Sequence, residues 1–198
     1  LASLTSVQVG ALTTDQLVAM STQQASAITD TQVKGFTTSQ LSKLETEDLA
    51  AFTTAAIAGL SSAQLSGLTT DEIRAITTVQ ISAINANSLK SLTSAQIQAL
   101  TSNQLPELTT AQVSALTTAQ IDAFTTAELT QLTVAQIAAI NTSQLPGLNT
   151  AEINALTNAQ FKALTTAQFS NLSTAQIRAI STGNMAVMET EDLRALNT

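Results

Sequence analysis

The sequence predicts an all-α fold, a solenoid or superhelix built from short helices. Three observations carry this expectation. An octapeptide recurs 24 times, from Thr5 to Leu196, without insertion or deletion. A helix-start signature stands at the head of each octad. The large apolar residues are spaced for a helix and not for a strand. Repetition at a fixed short period marks an array in which each unit packs on its neighbours. Residues 1–198 therefore read as a single repeat array.

The octad is typified by Thr117, Thr118, Ala119, Gln120, Ile121, Asp122, Ala123 and Phe124. Its first position is Thr, Ser or Asn in 22 of 24 units, and all three are good N-caps. The fourth position is Gln 16 times and Glu 3 times. Ser/Thr-x-x-Gln/Glu is a capping box, in which the hydroxyl accepts from the backbone N–H of the fourth residue and that residue's side chain reaches back to the cap. The eighth position is Leu, Ile, Phe or Met in every octad, and the fifth is large and apolar in all but one, where Ala25 stands. Those two residues flank the next cap as a hydrophobic staple. Each octad thus encodes a complete helix start, and another follows at once.

One long helix does not fit this pattern. Eight residues overshoot two helical turns by roughly 80°, so the apolar stripe would wind around the cylinder and face water on every side. Paired Thr residues also lower helix propensity. Short helices separated by bends fit better. The alternative fold is a β-solenoid, favoured by the Thr, Ile and Val content. Against it, Gln and Ala recur where a strand needs β-branched residues. The large apolar positions also lie three and five residues apart instead of two.

The seventh position is usually Ala, and Gly35, Gly59, Gly67 and Gly147 also fall there. Small residues at this place imply either close approach of neighbouring coils or a bend after the helix. Pro106 and Pro146 occupy the sixth position. They fit a helix that is ending, since proline has no N–H to donate. No second period of two, three or four octads shows how many units complete a turn.

Composition narrows function by exclusion. Aromatic residues are 3% of the chain and charged residues 11%, so the core must be aliphatic and solubility must come from Thr, Ser, Gln and Asn. A net charge of −7 argues against nucleic acid and anionic membrane surfaces. Six of the seven basic residues, Lys34, Arg74, Lys90, Lys162, Arg178 and Arg194, share the sixth position. That regularity marks a solvent-facing row, not a binding stripe. No apolar run reaches the ~20 residues of a membrane span.

The chain has no Cys, His, Tyr or Trp. The periodic hydroxyls are explained by capping, and no phosphate loop or metal motif is present. No catalytic, cofactor-binding or metal-binding residue is therefore expected, no cofactor is implied, and the chain does not read as an enzyme. Two acidic clusters interrupt the pattern, Glu45-Thr46-Glu47-Asp48 and Glu189-Thr190-Glu191-Asp192. At a helix N-terminus they complement the helix dipole; the functional alternative is a weak divalent-cation site. The second position is Thr 16 times and Ser 4 times, an outward hydroxyl row that could contact a partner protein, glycan or ice.

The Leu-Thr-Thr-Ala-Gln-Ile start resembles the helix start of bacterial TAL-effector repeats, but those repeats are much longer and carry base-reading residues that this chain lacks. Taken whole, the array is similar to octapeptide-repeat regions of very large bacterial secreted or surface proteins of adhesin type. That resemblance implies export, an extracellular or cell-surface location, and a stalk, spacer or filament role. The expected partners are neighbouring repeats or self-association, with a protein or glycan as the alternative. The chain opens and closes in mid-octad, and neither end resembles a polar capping unit. The array is accordingly expected to be an excerpt of a longer one.

Overall fold

A computed structural model of the protein describes residues 3–196. They hold 22 α-helices of four to six residues and two 3-10 segments, one helical segment per octad, with no strand among the described residues. The all-α reading holds and the β-solenoid alternative is excluded. The octads group into two compact units, Leu1–Glu107 and Leu108–Thr198.

Local capping chemistry starts each helix. The N-cap residues of the α-helices are extended, and 17 of the 22 α-helices close the full reciprocal capping box. In the Thr117 octad, the Gln120 N–H donates to Thr117 Oγ1 at 3.2 Å and the Thr117 N–H donates to Gln120 Oε1 at 2.9 Å. The box is missing where the fourth residue cannot reach back, as at Ala56 and Asn184, or where the cap is Asn85, Glu45 or Glu189.

Helices end within two turns because the eighth residue returns to extended backbone. Phe52, Ile76 and Leu116 have φ near −56° and ψ between 125° and 148°. No described residue has positive φ. The chain therefore bends between helices without the left-handed residues that would demand glycine, which explains how so few glycines suffice.

Within each unit a helix packs on the helix three octads further along. Asp30–Val33 meets Thr54–Ala58, which meets Thr78–Ala83, and in the second unit Thr110–Ala115 meets Val134–Ala139. The fifth and eighth residues form the core. Every fifth-position residue from Val9 to Phe169 is 0% exposed, and the eighth-position residues from Met20 to Leu172 are buried. Large apolar side chains at these two positions therefore supply most of the burial that holds the coils together.

The seventh position is small because it touches the previous coil. A Cβ on Gly67 would lie 2.8 Å from Thr38 Cβ, and one on Gly59 would lie 2.9 Å from the Asp30 carbonyl oxygen. Gly35 abuts Ser6 and Gly147 abuts Thr118 in the same way. Close approach, and not a special backbone angle, is the reason for these glycines. The two prolines act on their own octads: Leu105–Glu107 and Leu145–Gly147 are 3-10 segments in place of α-helices. In an octad such as that of Thr37, the sixth-residue N–H donates to the second-residue carbonyl, Ser42 to Thr38 at 3.0 Å. Pro106 and Pro146 lack that donor.

Candidate functional site

The most specialised side chain in the array is the fourth-position glutamine. It is buried from Gln32 onward, at 1–5% exposure. Its Oε1 closes its own capping box, and its Nε2 reaches back to the preceding coil. Gln64 Nε2 donates to the Phe36 and Val33 carbonyls, both at 2.8 Å. Gln168 donates to Ile140 at 2.6 Å and to Ile137 at 3.0 Å. The acceptors lie 28 and 31 residues earlier in each case, at the end of a helix. A coil thus closes after 28 to 31 residues, between three and four octads. Gln8, Gln16 and Gln24, in the first coil, close the same boxes and remain exposed.

This link between coils is the structural role that the sequence reading missed. A signal for it was present: a capping box is served equally by Glu and Gln, yet Gln outnumbers Glu by 16 to 3. The excess points to a need for an N–H donor that a carboxylate does not have. Asn184 keeps the link with a shorter side chain, donating to the Leu156 carbonyl at 3.0 Å, and its Oδ1 is left without a partner.

Family models of the ALTTAQ repeat match residues 41–78, 73–110, 137–174 and 153–188, more than half of the chain. The chain belongs to the ALTTAQ repeat family. The six letters span the seventh position of one octad to the fourth of the next, as in Ala163, Leu164, Thr165, Thr166, Ala167 and Gln168. The ALTTAQ hexapeptide thus joins the close-approach residue, the core residue, the N-cap and the glutamine that links coils. No curated protein matches the chain.

Carboxylates replace glutamine at a few linking positions of the ALTTAQ array. Asp48, Glu72 and Glu152 are each 2% exposed. Burial pushes all three carboxyls above the ordinary range; Glu45 and Glu47 push Asp48 further, and Asp122 adds to Glu152. Asp192 is raised by burial as well. Oδ2 of Asp48 and Oε1 of Glu72 are buried without a hydrogen-bond partner.

The acidic clusters sit at helix starts, as the sequence placed them, but Glu45 and Glu189 make no side-chain cap bond. Glu189 instead pairs with Lys162 at 3.2 Å. Among the described residues no group of three or more acidic side chains is arranged to hold a metal ion. The second-position hydroxyls of Thr38, Thr54, Thr110, Thr118 and Thr150 are exposed. An open pocket of about 390 Å³ beside Pro146, Asn149, Asn171 and Ser173 is lined by neutral side chains alone. No described helix is long and apolar enough to cross a membrane.

Proposed function

We propose that this chain is a non-catalytic structural segment, a stalk, spacer or filament element of an extracellular or surface-attached bacterial protein. One observation carries the reading: five of the eight octad positions are already committed. The first position caps, the fourth caps and links coils, the fifth and eighth fill the core, and the seventh lets coils approach. What the sequence repeats is scaffold. The partner that best fits such a coil is another coil of the same kind, in this chain or in a second copy. One coil face supplies Gln Nε2 donors and the opposite face supplies carbonyl acceptors, so association is head-to-tail. Sedimentation velocity over a range of concentrations tests this: growth in multiples of the monomer mass supports it, and a strict monomer at every concentration refutes self-association. Antibody labelling of intact cells tests the location, and a signal seen only after lysis refutes it.

A second reading, a binding module, rests on the exposed second-position Thr row. Thr110→Lys and Thr150→Lys together, both in the second unit, would abolish capture by a glycan or protein while leaving the helical signal intact, and unchanged capture refutes this reading.

A further inference from the structure

Glu72 stands where its neighbours along the chain carry the linking glutamine. Gln64 in the octad before donates to Phe36, and Gln80 in the octad after donates to Phe52 at 2.6 Å, both 28 residues back. The same register sets Glu72 against the Leu44 carbonyl, with that of Leu41 beside it. Glu72 Oε2 accepts the Thr69 N–H, as the Gln Oε1 does elsewhere. Its Oε1, at the place of the Gln Nε2, is buried and without a partner. An ionised carboxylate there would set a bare oxygen against carbonyl oxygens in a dry interior, with no hydrogen between them.

We propose that Glu72 is held in the folded array as a neutral carboxylic acid, its Oε1–H donating across the coil to the Leu44 carbonyl. One proton from solvent then does what the second amide hydrogen of glutamine does in the other octads. The Thr69 octad becomes a proton-dependent link in a ladder whose glutamine links do not titrate.

The surroundings offer no compensating cation. The helix Thr46–Ala51, which packs on the helix Thr70–Ala75, carries Glu47 and Asp48 behind Glu45. The helix Ser94–Gln98, packed on its other side, has no titratable residue, and neither do the flanking helices Ser62–Ser66 and Thr78–Ala83. On its own helix, Arg74 is bonded to Asp71 at 2.8 Å. Lys43, ahead of the acidic helix, is exposed. Burial raises the Glu72 carboxyl above its ordinary 4.5; the Thr69 hydrogen bonds oppose this and Asp71 adds to it. With the folded value above the unfolded one, the contribution to stability is complete below the unfolded value and is lost as pH rises through the folded one.

The test is the melting temperature of Glu72→Gln minus that of the parent across pH. Glutamine is the family's own solution, so the variant is expected to fold. The expected difference is near zero at about pH 4 and grows to a gain of about 2–4 °C at neutral pH. A difference that does not change with pH overturns the proposal. Independently, carbon-detected NMR of the side-chain carboxyls should show Glu72 titrating above the ordinary carboxylate range. A Glu72 midpoint within that range overturns it even if the variant melts as expected.

Discussion

Gln104 binds its own helix start to a helix end 28 residues earlier: its Oε1 accepts the Thr101 N–H at 2.8 Å while its Nε2 donates to the Ile76 carbonyl at 2.6 Å. One amide therefore satisfies two of the orphan groups that short helices leave at both ends. Helices this short are not stable alone, and each depends on such links and on the shared core.

Gln104→Ala should consequently cost more than the same change in the first coil. It removes the box and leaves a buried carbonyl unpaired, for about 2–4 kcal/mol together. Gln16→Ala, at an exposed residue, should cost about 1 kcal/mol or less. Denaturant unfolding of both variants checks the ranking, and equal losses would mean that the cross-coil bonds contribute little.

The inside–outside assignment is testable at adjacent residues. Ile121 is 0% exposed and Asp122 is exposed. Ile121→Asp should cost several kcal/mol, on the order of 3–5, by placing an unpaired charge in an aliphatic core. Asp122→Asn should change stability by less than about 0.5 kcal/mol. Hydrogen exchange of the Thr117 octad separates the two outcomes.

Two glycines should respond to alanine with opposite signs. A Cβ on Gly67 meets Thr38 at 2.8 and 2.9 Å, so Gly67→Ala should destabilise by about 1–3 kcal/mol through overpacking. Gly183 lies inside the helix Thr182–Val187, and a Cβ there meets nothing closer than Asn158 Oδ1 at 3.5 Å. Gly183→Ala should stabilise by about 0.5–1 kcal/mol, since glycine is the more costly residue in a helix. Paired thermal melts decide this.

Asp48 gives a prediction that depends on pH. Its carboxyl is raised first by burial and then by Glu45 and Glu47. A raised folded value means that its contribution is present at acid pH and is lost as pH rises. Asp48→Gln should restore both the back-bond to the cap and the link to the earlier coil. It should gain about 1–3 kcal/mol at neutral pH, with the gain shrinking toward about pH 4 as the native carboxyl takes up its proton. A gain that is constant with pH would assign the effect to shape and not to charge.

Much of this molecule is written locally. The capping box of Thr117 and Gln120 and the staple formed by Leu116 and Ile121 act within a few residues of one another, so the sequence by itself determined where each helix starts and which apolar residues form the core. It left Gly67 and Gly147 open between close approach and a bend after the helix, and the structure decided for close approach. The coil length, the second role of the glutamines and the burial of Asp48, Glu72 and Glu152 were decided only by the tertiary structure. These depend on the angle through which extended residues such as Ile76 turn one helix against the next. That angle accumulates over three to four octads before the chain meets itself. An eight-residue repeat carries no second period to record that sum, so the partner of Gln104 could be known only once the coil had closed on Ile76.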